Sequence, residues 1–134
     1  MKISTISRPR INFTNNHEWI DINGTVGFVG ISAYKLKEIK NITNIKWHVN
    51  KGIIEKGSLI AEIHTADQII PVHAPVNCKF LGQNQKLAGN LNLIIESPQD
   101  KGWVFFVTPL KFNNQDTLLS PESYQKLIRV KVVS

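Results

Sequence analysis

Polar and apolar residues alternate from His17 to Ile22, and Asn23-Gly24 follows directly. A period of two turns one set of side chains inward, and Asn-Gly beside such runs is a strong hairpin signal because both residues tolerate positive φ. Thr25 to Ile31 is the expected return strand, with Gly27 and Gly30 marking a bend or a close backbone approach. Ser32 then caps a predicted helix through Ile39, with Ala33, Leu36 and Ile39 along one face and Asn41 as its stop. β-Branched and aromatic residues return in Ile42 to Trp47, and Gly52 and Gly57 bracket Ile53-Ile54-Glu55.

Leu59 to Ile63 and Ile69 to Val72 flank the polar pair Asp67-Gln68. That pattern predicts a hairpin whose tip meets solvent, left by a stiff exit from Pro71 to Pro75. Asn77-Cys78 reads as a turn before Lys79-Phe80-Leu81-Gly82, and Leu91 to Ile95 is an apolar run. Ser97-Pro98 and Asp100-Lys101-Gly102 break the chain ahead of Trp103 to Val107. Pro121 opens a helix at its N1 position, and Glu122 to Ile128 sets Tyr124, Leu127 and Ile128 on one side. The fold class expected from these elements is mainly β, a small sandwich or barrel with two peripheral helices. Trp19, Trp47 and Trp103 belong in its core or at the core's rim.

A length of 134 residues predicts one domain with a core of its own. Residues 1–10 carry two Arg and a Lys, no acid and no apolar run of a secretory signal, so a flexible tail is expected there. The domain then spans 11–129, with 130–134 as its C-terminal end. Cys78 is the only cysteine, which excludes an intramolecular disulfide and points to a reducing compartment. No apolar run approaches the roughly 20 residues that span a bilayer. The net charge of +6 is scattered; Lys35, Lys37 and Lys40 are the nearest approach to a basic block, and Glu38 interrupts them. Aromatic residues do not interleave with these charges, so a solvated surface is expected rather than a nucleic-acid platform.

One set of residues in fixed order resembles the H protein of the glycine cleavage system. It begins with Phe13-Thr14-Asn15-Asn16-His17-Glu18-Trp19-Ile20 and Val29-Gly30-Ile31-Ser32-Ala33-Tyr34. It continues through Gly57, the hairpin ending Ala74-Pro75-Val76, Asn84, Pro98 and Gly102-Trp103, and ends on Leu118-Leu119-Ser120-Pro121-Glu122-Ser123-Tyr124. The resemblance spans residues 11–129 and implies a lipoyl-domain fold, a flattened barrel or sandwich hybrid. It also implies a monomer, cytoplasmic in a bacterium or in an organelle matrix in a eukaryote. In that family a lysine at the hairpin tip carries lipoate as an amide. The arm takes an aminomethyl group from glycine decarboxylase to the aminomethyltransferase and is reoxidised by dihydrolipoyl dehydrogenase. The cofactor does the chemistry and the protein presents it, so the chain is expected not to be an enzyme.

The family's tip motif is Glu-Ser-Val-Lys-Ala, and a gapless placement sets His64-Thr65-Ala66-Asp67-Gln68 against it. Asp67 stands at the lysine position, and no lysine occurs between Lys56 and Lys79. A carboxylate cannot form the lipoyl amide, so no lipoate and no other cofactor is expected at Thr65, Ala66, Asp67 or Gln68. The implied role is a non-catalytic scaffold or regulatory partner, of glycine cleavage components or of lipoate-handling enzymes. The alternative is a carrier modified at Lys56 or Lys79. Other departures are His73 at a usual Tyr, Lys40 at a helix-ending Gly, Trp47-His48 for Leu-Pro, and Cys78 for a turn Gly.

His64 and His73 flank the tip. A two-residue turn at Asp67-Gln68 would set His64 opposite Pro71 and His73 opposite Glu62, making Glu62, His64 and His73 a conceivable two-His-one-carboxylate metal group. Exposed polar strand residues produce the same pattern, and no metal is the expectation. Cys78 has no neighbouring histidine in sequence to activate it, and an exposed Asp67 lacks the burial that a catalytic acid needs.

Overall fold

Strand β2 (Glu18–Asn23) pairs antiparallel with β3 (Val26–Ile31), and Asn23 is itself paired with Val26. The loop is therefore Gly24-Thr25, one residue later than the Asn-Gly signal places it. Gly24 has φ +67, while Thr25 does not have positive φ. A left-handed residue at only the first central position is the type II′ pattern, which asks for Gly there and leaves Asn23 in the ladder. The strand β1 (Ile11–Phe13), too short to show a period, lies along the outer edge of β2.

The computed structural model describes residues 11–110 and 118–133. The tail expected at 1–10 lies outside the described residues. Further along run β4 (Ile42–Trp47), β5 (Gly52–Ile54), β6 (Leu59–Thr65), β7 (Ile69–His73), β8 (Cys78–Gln83) and β9 (Phe105–Pro109). They form two antiparallel sheets, ordered β1-β2-β3-β9-β8-β5 and β4-β6-β7. The sheets share one core, with Ile20, Val29, Ile31, Phe105 and Val107 from the larger and Ile60, Ile63, Ile70 and Val72 from the smaller. The architecture is an open sandwich. No helix among the described residues is long and apolar enough to cross a membrane.

Helix α1 (Ala33–Leu36) is a single turn, shorter than the predicted run to Ile39. Ser32 caps it as expected, its hydroxyl accepting from the Lys35 amide at 3.2 Å. The Lys37 amide then bonds the Tyr34 carbonyl and the Ile39 amide the Leu36 carbonyl, tightened spacings that close the helix early. Leu36 and Ile39 are buried, but Ala33 is exposed, so two of the three residues of the expected apolar face reach the core. Asn41 does not stop the helix; its side-chain oxygen accepts from Asn92. The apolar run from Leu91 forms another single turn, α2 (Leu93–Glu96), which buries Ile94. The C-terminal helix α3 (Pro121–Val133) begins at the predicted proline and continues past Ile128.

Tyr124 joins α3 to the first hairpin. It is 3% exposed and stacks on Phe13 with ring centroids 4.1 Å apart. Its hydroxyl lies 2.7 Å from His17 Nδ1 and 2.7 Å from Ser32 Oγ. Burial pushes the phenol above its ordinary value, and the Ser32 bond pulls against that shift. Tyr124→Phe keeps the stacking and removes one hydrogen bond each from His17 and Ser32, at about 1–2 kcal/mol. A lower urea midpoint with an unchanged slope would report that loss.

Trp19 is fully buried, its indole N–H donating to the Pro98 carbonyl at 2.9 Å, and its ring lies where a side chain at Gly30 would sit. Trp47 and Trp103 are partly buried against the two apolar clusters. Cys78 is not a turn residue: it opens β8 and is fully buried. Burial pushes its thiol up to about 11, so it stays protonated at neutral pH. Thiol reagents at about pH 8 are expected to leave folded Cys78 unmodified and to titrate it only after unfolding, which a colorimetric thiol assay reads directly.

Candidate functional site

Ile63 and Ile70 face each other across β6 and β7 and are both buried, as are Ala61 and Val72. Each large aliphatic side chain buried in this way contributes about 1.5–3 kcal/mol, which fixes the hairpin in the sandwich. A bulge at Ile60 turns that residue inward as well. Beyond His64 the burial ends, and Ala66, Asp67, Gln68 and Ile69 are exposed.

The turn closes on itself. The Thr65 amide donates to the Gln68 carbonyl at 2.9 Å, so Ala66 and Asp67 are its central pair. The Thr65 hydroxyl accepts from the Gln68 amide at 3.1 Å and lies 3.0 Å from the Gln68 carbonyl and 3.4 Å from Asp67 Oδ1. Facing the tip, Glu38, Ile39, Lys40 and Asn41 complete a cleft of about 380 Å³ with Thr65, Ala66, Asp67 and Gln68. Lys40, a departure from the family pattern in the sequence, is thus brought beside the tip.

Because the turn sits one residue earlier than Asp67-Gln68, the whole register moves. His64 is opposite Ile69 and Glu62 is opposite Pro71, while His73 lies opposite Leu59. The trio Glu62, His64 and His73 is therefore not assembled. Glu62 and His64 do meet, at 3.4 Å, but the second histidine beside Glu62 is His48, 3.6 Å away and one residue past the end of the neighbouring strand β4. Among the described residues no three His, Cys, Asp or Glu are disposed to hold a metal ion.

His73 instead turns to Glu18, a residue that sequence reasoning did not single out. Glu18 is 1% exposed, and its Oε2 accepts from both the His73 amide and His73 Nδ1 at 2.8 Å. Its Oε1 accepts from the Thr14 hydroxyl at 2.8 Å. A signal was present: Glu18 is in phase with Ile20 and Ile22, so an acid occupies the inward face of β2. The two lysines outside the tip are far from it along the chain path. Lys56 precedes β6 at the other end of the hairpin, its amide bonded to the Asn77 side chain. Lys79 lies in the other sheet, on β8 opposite Ile53.

Residues 11–131 match the profile described as glycine cleavage H-protein. The chain is 28% identical over 118 residues to the glycine cleavage system H protein of Bacteroides fragilis, covering 88% of this chain and 94% of that one. It is 26% identical over 122 residues to a probable glycine cleavage system H protein of Aeropyrum pernix, covering 91% and 85%. A crystal structure of a glycine cleavage system H protein from Mycobacterium marinum superposes with a TM-score of 0.78 at 20% identity, over 90% of this chain and 97% of that one. That likeness is one of fold.

Proposed function

This chain belongs to the glycine cleavage H-protein family, and we propose that it keeps the family scaffold without the lipoyl attachment. In this reading it is a non-catalytic scaffold or regulatory protein that binds glycine cleavage components or lipoate-handling enzymes. The observation that carries the reading is Asp67 in the central pair of the exposed tip turn, with no lysine between Lys56 and Lys79. Amide formation needs a nucleophilic amine, which this tip does not offer. Lys56 does not substitute in place: the strand from Leu59 to Thr65 separates it from the turn, roughly 20 Å at the usual rise per residue. An arm on Lys56 would leave from the opposite end of the hairpin.

Co-expression with a lipoate ligase and measurement of intact mass test this. The wild type is expected at its unmodified mass, and Asp67→Lys is expected to gain a single lipoyl increment. An increment on the wild type would overturn the reading, and tryptic mapping would then locate it at Lys56, Lys79 or elsewhere.

A further inference from the structure

Nearer the root of the hairpin a second cavity of about 280 Å³ opens, lined by Asn15, Asn16, His17, Lys35, Pro71 and His73. Three separate segments build it: the turn between β1 and β2, helix α1, and the outgoing strand β7. Its lining offers an ammonium, two imidazoles and two carboxamides, and no carboxylate. The acid next to it in sequence, Glu18, is 1% exposed with both oxygens already accepting hydrogen bonds. One of those bonds also sets the chemistry of His73. A carboxylate only accepts, so Nδ1 donates to Glu18, and Nε2, the ring nitrogen left for a ligand, donates to an anion in the doubly protonated ring. Lys35 is exposed and makes no ion pair among the described residues.

We propose that this cavity binds a small oxyanion, of phosphate or carboxylate type, between Lys35 and His73 with the Asn15 and Asn16 amides beside them. A cation would meet Lys35 without an available acid to offset it. An apolar ligand would find little but the Pro71 ring to cover it. The volume falls just below the roughly 300–1,000 Å³ usual for ligand sites, which selects a low-mass anion. The net charge of +6 favours the approach of such an anion to this surface. The site does not depend on whether Asp67 has ended lipoylation, since it uses neither the tip nor its cleft.

The test is a titration of isotope-labelled full-length protein with inorganic phosphate, followed by amide chemical shifts at about pH 6.5, near the ordinary imidazole pKa. Sodium chloride holds the ionic strength constant, and a second arm uses propionate. Saturable shifts confined to Asn15, Asn16, His17, Lys35 and His73 are expected with either anion. Lys35→Gln is expected to weaken binding roughly tenfold, equivalent to about 1.4 kcal/mol. The control Lys86→Gln, in a separate short helical turn (Gln85–Ala88), is expected to bind as the wild type does. Shifts spread over surface lysines, an absence of saturation with both anions, or undiminished binding by Lys35→Gln would each overturn the proposal.

Discussion

Glu18→Ala is expected to cost about 3 kcal/mol of stability and to loosen the root of the central hairpin. Three donors converge on the Glu18 carboxylate: the Thr14 hydroxyl, the His73 amide and His73 Nδ1. Removing it leaves all three without that acceptor, two of them on His73 at the end of β7. The histidine side chain is 25% exposed and regains some hydration, which holds the cost near the lower end of the range of about 3–5 kcal/mol for breaking a buried pair. Glu18→Gln is the sharper comparison because it conserves volume. Its amide nitrogen meets the His73 backbone donor if it faces His73, or a hydroxyl oxygen already accepting from the Asn16 and Glu18 amides if it faces Thr14, so about half the loss is expected to remain. Urea unfolding of both variants, with amide exchange at His73 as the local readout, checks the order. A Glu18→Ala variant as stable as the wild type would mean that the carboxylate's own desolvation cancels its bonds.

Gly102→Ala is the second large effect, expected at about 2–3 kcal/mol. A Cβ there would lie 2.5 Å from the Leu93 carbonyl oxygen, 2.7 Å from Ile94 Cα and 2.7 Å from the Ser97 carbonyl oxygen. All three are backbone atoms of α2 and the residue after it, so no side chain can rotate away. The Gly102 amide also donates to the Ser97 carbonyl at 2.7 Å, and a shifted segment would lose that bond. Gly24→Ala makes the instructive contrast. Nothing lies within 4 Å of a Cβ at Gly24, and only its φ of +67 opposes the change. Its expected cost is about 1 kcal/mol, set by the backbone alone. Thermal melts of the two variants separate crowding from conformation, with Gly102→Ala melting lower.

Legibility along this chain followed the range of the interaction involved. Strand β4 was readable to the residue, because β-branched and aromatic side chains from Ile42 to Trp47 report a local preference. The proline that starts α3 was readable for the same reason. Helix α1 was overextended, since a spacing of Leu36 and Ile39 fits both a helix and a tight turn that buries the two of them, while Ala33 stays exposed. Cys78 reads in the sequence as a turn residue because Asn77 beside it carries a turn signal, whereas the β8–β5 and β8–β9 pairings draw it into the core. The hairpin was recognised and its register missed by one step at the tip. That step was enough to dissolve the Glu62, His64 and His73 group, because pairing decides which side chains become neighbours.

The sequence by itself determined that Asp67 and not a lysine stands at the tip, that Lys56 and Lys79 are the nearest lysines along the chain, and that two β runs meet there. These are matters of residue identity and local period, and no folding can alter them. Only the tertiary structure decided that His73 belongs to Glu18, 55 residues away, and that Tyr124 reaches His17 and Ser32. Alternation tells which face a side chain takes, whereas the partner it finds there depends on how separate strands are stacked and in which register. A buried carboxylate such as Glu18 accepts whatever donors that stacking delivers, and here it delivers the hairpin's own histidine.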